Sequence, residues 1–161
     1  MKKILTYALL FVAPIVTLTA CSNDNDLPDV KFDVTFSGGV VDDSNGIIYV
    51  VAGDTLTVNS VSVTNVESNK VAAVTGVEYY WDYDFIGSSP FEPYRFKIYV
   101  GEETPLGAHN LTLRAGVVAV DKQPAVAVLD YNVEVVADST DIPQTATNAS
   151  VSAVVTPQAN S

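Results

Sequence analysis

The stretch that decides the fold class is Val77-Glu78-Tyr79-Tyr80-Trp81-Asp82-Tyr83-Asp84. Its side chains alternate with a period of two, which is the period of a β-strand that has one buried face. One face would carry Val77, Tyr79, Trp81 and Tyr83, and the other would carry Glu78, Tyr80, Asp82 and Asp84. The pattern predicts a strand, and it predicts that Trp81 is buried in the core.

The same period recurs on both sides of this stretch. Phe32, Val34 and Phe36 alternate with polar residues, and residues 94–98, 111–114 and 125–136 behave in the same way. Gly, Pro, Asn and Asp clusters separate the runs, and no run has the period of a helix. Residues 30–137 therefore predict an all-β domain, a β-sandwich of about seven to nine strands.

Residues 55–66 and 42–46 raise questions of strand register and of turn type. In residues 55–66, Val58, Val61 and Val63 are core candidates, with the register across Ser60 left open. Residues 42–46 (Asp-Asp-Ser-Asn-Gly) form a turn cluster whose Asn-Gly pair predicts a type I′ hairpin. The alternative is an acidic calcium loop, but the cluster lacks the later Glu and the flanking helices of an EF-hand.

Four segments together resemble the bacterial immunoglobulin-like repeat family. They are Val77–Gly87, Pro93-Tyr94-Arg95-Phe96, Gly107-Ala108-His109-Asn110-Leu111 and Tyr131-Asn132-Val133-Glu134-Val135. The resemblance implies an immunoglobulin-like sandwich that serves as a spacer, an adhesion module or an accessory binding module. The chain departs from the family at Tyr83, where a turn glycine is usual, and residues 121–129 lack the usual Asp-Asn-x-Gly turn.

The first residues have the layout of a secretory signal. Lys2 and Lys3 precede an uncharged run from Ile4 to Thr19, which is short for a spanning helix. Leu18-Thr19-Ala20-Cys21 resembles the lipobox of bacterial lipoproteins. This resemblance implies that residues 1–20 are a signal peptide and that Cys21 carries the lipid which attaches the chain to the membrane. The alternative is a secreted protein with an incidental cysteine.

The net charge and the composition limit the kinds of partner and metal site that the chain could have. The net charge is −11, and removing residues 1–20 takes away two lysines and no acid, which leaves −13. A nucleic-acid partner is excluded because it needs a basic surface. One Cys and one His form neither an internal disulfide nor a Cys/His zinc site. No metal and no cofactor are expected.

Residues 21–29 are polar and predict a flexible tether. Their acids resemble the surface-export signal of Bacteroidetes lipoproteins, which implies an outward-facing position on the cell outer membrane. A lipoprotein that faces the periplasm is the alternative.

No catalytic residues are predicted. His109 is the only histidine, no G-x-S-x-G elbow exists, and the position of His109 at a strand start indicates a structural role. Asp82 and Asp84 would lie about 7 Å apart on one strand face, where they could act as paired carboxylates or calcium ligands. Two acids on an exposed strand face are more often its solvated side.

The candidate binding patch is aromatic. Tyr80, Tyr83, Phe85 and Phe91 lie at outward parity or near the predicted hairpin tip, and aromatic faces can stack on sugars or anchor a protein contact. The sequence thus predicts a non-enzymatic surface lipoprotein that binds a glycan or a protein. The alternative is a structural spacer or assembly subunit that gains partners by edge-strand pairing.

Residues 138–161 are rich in Ser, Thr and Ala and contain no aromatic residue, which predicts a disordered tail. In the alternative reading, residues 149–155 form an edge strand.

Overall fold

A computed structural model describes residues 27–66 and 70–159 of the chain. Cys21 and the predicted signal peptide lie outside the described residues. The strands are β1 (Val30–Ser37), β2 (Val40–Asp42), β3 (Ile47–Val51), β4 (Thr55–Asn65), β5 (Ala72–Trp81), β6 (Asp84–Ser89), β7 (Phe96–Tyr99), β8 (Gly107–Ala119), β9 (Ala125–Val136), β10 (Ala146–Asn148), β11 (Ser150–Val155) and β12 (Gln158–Ala159). In the described part of the chain, the only helical element is a 3-10 turn at Ser139–Asp141, so no helix there is long enough to cross a bilayer.

Two sheets form the sandwich. The small sheet has the order β11-β1-β4-β7, and the large sheet has the order β10-β2-β3-β9-β8-β5-β6, with β12 also paired to β9. Strands β1, β4 and β7 thus occupy the places of strands A, B and E of an immunoglobulin domain. Strands β5, β6, β8 and β9 occupy the places of C, C′, F and G. The predicted all-β, immunoglobulin-like sandwich is confirmed.

The core lies between the sheets and follows the predicted parity. Phe32, Val34 and Phe36 are buried on β1, and the large sheet contributes Tyr79, Leu111 and Leu113 among others. Val58 and Val61 are both buried although three positions separate them. The cause is a bulge in β4, since Thr35 pairs with Ser60 while Phe36 pairs with Val58, which leaves Asn59 as the extra residue. Val63 is half-buried.

The inward face of β5 ends earlier than predicted. The strand stops at Trp81, which pairs with Asp84, so Asp82 and Tyr83 form a two-residue turn. Both have positive φ, 48° and 73°, as a type I′ turn requires. Tyr83 therefore lies at the hairpin tip and not on the strand face that the alternation gave it, and it is exposed. Trp81, predicted to be a core residue, packs against the core but is only half-buried at the strand end, and Tyr79 supplies the fully buried aromatic ring.

The first hairpin also differs from its prediction. Asp42 pairs with Ile47, so the loop has four residues instead of a two-residue type I′ turn. The Asp42 carboxylate causes this, because it accepts from the Ser44 backbone N–H at 2.9 Å and from the Ser44 hydroxyl at 2.7 Å. It also accepts from the Thr145 hydroxyl at 2.9 Å. Asp42 is thus a turn-forming residue.

The prediction of a disordered tail over 138–161 is wrong for the part that the structure describes. The 3-10 turn, β10, β11 and β12 all form there, and the domain extends beyond 137 to at least 159. Strand β11 pairs antiparallel with β1, with Val151 opposite Val34. The alternative of an edge strand at 149–155 is the correct one. These tail strands, together with the short β2 and β6, raise the described strand count above nine.

The predicted tether of residues 21–29 is fixed to the domain at its end. Pro28 is buried, and the carbonyl of Asp29 accepts from the Val66 N–H at 3.0 Å. The described chain is therefore held by the sandwich from Pro28 onward.

Candidate functional site

The predicted aromatic residues are exposed, but they do not all lie together. Tyr83 is 83% exposed in the β5–β6 turn, Phe85 is 59% exposed on β6, and Phe91 is 78% exposed. Tyr80 is half-buried and pairs across the strands with Phe85; their ring centroids are 5.5 Å apart in an edge-to-face arrangement. Phe91 follows the opposite end of β6, so it does not belong to this group.

Charged side chains surround Tyr80 on the outer face of the large sheet. The Tyr80 hydroxyl donates to Glu78 Oε2 at 2.9 Å, and the Arg114 guanidinium carbon lies 6.0 Å from the centre of the Tyr80 ring. Glu78 lies directly opposite Arg114 on β8, and their nearest charged atoms are 4.0 Å apart. We call Glu78, Tyr80, Phe85 and Arg114 the aromatic face. It combines two aromatic rings with a charged hydrogen-bond donor, the Arg114 guanidinium, and a charged acceptor, the Glu78 carboxylate.

A second aromatic surface was not predicted. A groove of about 340 Å³ lies between the edge strands β6 and β7, and Trp81, Ile86, Phe96 and Tyr99 line part of it. The Phe96 ring lies against Gly87, where a Cβ would come within 2.6 Å of it. Phe96 uses this space to stack on Tyr79 with ring centroids 4.4 Å apart. Gly87 and Phe96 belong to strands of different sheets, so the sequence pattern of either strand alone could not predict their contact.

His109 lies beside Trp81 and holds two loops together. Its Nδ1 lies 2.7 Å from Asp82 Oδ2 in the β5–β6 turn, and its Nε2 lies 2.8 Å from the carbonyl oxygen of Pro105. The His109 side chain is 8% exposed, and its ring stacks on Trp81 with centroids 5.2 Å apart. Both neighbouring atoms are acceptors, so the geometry suits a ring that donates from both nitrogens, the imidazolium form.

The pKa values of this pair agree with that geometry. Burial lowers the pKa of His109, but the hydrogen bonds to Pro105 and Asp82, with the negative charges of Asp82 and Glu134, outweigh burial and raise it above 6.5. Burial raises the pKa of Asp82, but hydrogen bonds from the Asn110 N–H and from His109, with the His109 charge, lower it overall. His109 is thus a positioning group whose two ring nitrogens are both engaged.

The proposed carboxylate pair does not form as expected. Asp82 lies in the turn and Asp84 begins the next strand, so the chain reverses between them and they do not share one strand face. The Asp82 carboxylate accepts from the Asn110 N–H at 2.9 Å in addition to its contact with His109. Within the described ranges 27–66 and 70–159, no three His, Cys, Asp or Glu side chains cluster as metal ligands.

Comparisons with known proteins do not assign the chain to a family. No known family model matches the chain, and no curated protein matches it. Among solved structures, the chain is similar to fibronectin(III)-like modules of Clostridium thermocellum CbhA, with 17% identity over 56% of this chain and 87% of that one and a TM-score of 0.37. Membership of the bacterial immunoglobulin-like repeat family stays a prediction, and the immunoglobulin-like architecture rests on the strand order given above.

Proposed function

We propose that the chain is a non-enzymatic binding module, displayed on the outer membrane by a lipid on Cys21, whose aromatic face binds a glycan or a protein. The observation that carries the proposal is the placement of Tyr83 in the β5–β6 turn, one residue pair beyond the Tyr80–Phe85 pair of the aromatic face. It is a large exposed aromatic residue at a left-handed turn position that glycine would occupy more favourably. Such strain contributes nothing to folding, and strained residues are concentrated at functional sites.

The neighbouring residues support a contact role. The exposed ring of Phe85 and the hydroxyl-bearing ring of Tyr80 present apolar area beside the Glu78–Arg114 pair. Tyrosine and arginine are enriched where proteins make specific contacts, because each combines a large area with a polar end. A solvated spacer needs none of these groups.

The anchoring part of the proposal depends on residues outside the described ranges. The only cysteine follows Leu18-Thr19-Ala20, and the chain after residue 20, whose net charge is −13, would be repelled by anionic lipid. Replacing Cys21 by Ser should release the protein from the membrane fraction. Membrane retention of Cys21→Ser at the wild-type level would contradict lipid anchoring.

The binding part is tested with the soluble domain, residues 22–161, on arrays of glycans and of cell-surface proteins. We expect the double variant Tyr80→Ala/Phe85→Ala to lose the signal, because it removes the paired rings of the aromatic face. Phe91→Ala is the matched control, since it removes an exposed ring that lies beyond the other end of β6.

Equal signals from the wild type and the double variant would contradict the role of the aromatic face. A domain that binds nothing on either array but self-associates in solution would instead favour the alternative function of spacer or assembly subunit. That alternative would use the edge strands β7 and β11 of the small sheet.

A further inference from the structure

Next to the aromatic face, the outer surface of the large sheet has a hollow of about 410 Å³. It extends across four neighbouring strands, from the edge strand β6 through β5 and β8 to β9. Gly76 and Gly116 face each other across β5 and β8 at its base. Glu78, Arg114 and Ser88 stand on its sides, so the hollow continues directly into the charged pair beside Tyr80.

Close packing requires a glycine at position 116 but not at position 76. A Cβ on Gly116 would collide with the Thr75 hydroxyl, which the bulge in β5 pushes toward it. A Cβ on Gly76 would meet only Pro90 Cα and Ser89 O, both at 3.8 Å, which is ordinary van der Waals contact. Glycine inside a strand costs about 0.5–1 kcal/mol relative to alanine, and it often marks a bulge or the close approach of a ligand to the backbone. Gly76 follows the bulged Thr75, but no atom near the position of its Cβ requires glycine, so the space above it is open to a ligand.

The chemistry of the hollow selects the ligand class. The Glu78 carboxylate accepts hydrogen bonds, the Arg114 guanidinium donates them, and the Ser88 hydroxyl does both. These groups suit the vicinal hydroxyls of a sugar, and the rings of Tyr80 and Phe85 suit its C–H face. The charges of Glu78 and Arg114 offset one another, and the chain as a whole is strongly acidic, so an anionic ligand is disfavoured.

We propose that the hollow over Gly76 and Gly116 binds a pyranose unit of a neutral oligosaccharide, with Glu78 and Arg114 on its hydroxyls and Tyr80 beside its ring. This inference rests on the proposed function, because it names the ligand class of the surface that the aromatic face borders.

The decisive variant is Gly76→Ala, which has room for its methyl group and should fold at least as well as the wild type. We expect its urea midpoint to rise, while its affinity for a neutral oligosaccharide falls by about tenfold or more, because the methyl group occupies the base of the hollow. Arg114→Gln should weaken binding by a similar factor, and Phe91→Ala should leave both binding and stability unchanged. The probes are glucose, mannose, galactose and N-acetylglucosamine oligomers, with sialylated and uronate-containing oligomers as the acidic set.

Failure of this inference can be distinguished from failure of the proposed function. If no neutral oligomer binds at millimolar concentration, or if Gly76→Ala binds as the wild type does, the hollow is not a sugar site. Should a protein ligand then bind in a manner that Tyr80→Ala/Phe85→Ala abolishes, the proposed function stands and only the ligand class is wrong. Preference for the acidic oligomers would also overturn the inference.

Discussion

Tyr79 and Tyr131 are both buried tyrosines of the large sheet, but their hydroxyl groups have different surroundings. The Tyr79 hydroxyl donates to the carbonyl oxygen of Tyr94, whereas the Tyr131 hydroxyl is buried without a hydrogen-bond partner among the described residues. Burial raises the pKa of both phenols, so each stays neutral at physiological pH. The two residues therefore form a matched pair for measuring the worth of one buried hydrogen bond.

We expect Tyr79→Phe to lower the free energy of unfolding by about 1–2 kcal/mol, because it leaves the Tyr94 carbonyl without its donor. Tyr131→Phe should leave stability unchanged or raise it by about 1 kcal/mol, since it removes an unpaired buried hydroxyl. Urea denaturation of both variants measures the difference. A loss of equal size in both would contradict the hydrogen-bond assignment.

His109 makes stability depend on pH in a defined direction. Its pKa in the folded state is raised above 6.5, so its stabilising contribution is fully present below that value. The contribution is lost as pH rises through the raised folded-state pKa, because the folded protein must then give up the proton that Asp82 and Pro105 hold. The charged groups that bear on it are Asp82 in the turn and Glu134 on β9.

We expect the unfolding free energy of the wild type to fall as the pH rises above about 6.5, and His109→Gln to remove that slope. At the acidic end, the variant should be less stable by about 1–3 kcal/mol, the worth of a hydrogen bond to a charged group. Fluorescence of Trp81, the only tryptophan, reports the same titration through its stacked neighbour. A slope that persists in His109→Gln would assign the dependence to another group.

At the scale of the elements, strand β11 shows where local sequence patterns fail. Its Ser, Thr and Ala content suggested disorder, but its alternate residues Val151, Ala153 and Val155 pack against the core. The partner that makes this favourable is β1, more than a hundred positions earlier, whose edge would otherwise leave backbone groups unpaired. The composition of a segment indicates only how much apolar surface that segment can bury by itself. In β11 the apolar surface is buried through pairing with β1, a distant segment.

Val151 and Val154 provide a direct test of β11. Val151→Asp should lower the unfolding free energy by about 2 kcal/mol or more, because it places a charge against the core beside Val34. Val154→Asp should change stability by about 0.5 kcal/mol or less, since Val154 is 70% exposed on the same strand. Equal, small effects in urea denaturation would mean that β11 does not pair with β1.

For the whole molecule, sequence periodicity predicted the sandwich and most of its inward residues, because a period of two is imposed locally by the strand itself. The same alternation placed Trp81 on the buried face, but the strand ends there in the two-residue turn at Asp82 and Tyr83, so Trp81 is only half-buried. The exposure of Tyr83, Phe85 and Phe91 was predictable from their parity and place in the chain. The hydrogen bond between His109 and Asp82 and the hollow at Gly76 depend on contacts between strands, so the sequence of no single segment predicts them.

The central claim at this scale is the proposal that the aromatic face, with its exposed Phe85 and half-buried Tyr80, is the binding surface of the sandwich. The most direct measurement compares cells that display the full chain with cells that display Tyr80→Ala/Phe85→Ala at equal surface abundance, using the ligand identified on the arrays. The account predicts that the double variant loses ligand capture while Phe91→Ala keeps it. Capture that persists in the double variant would contradict the account.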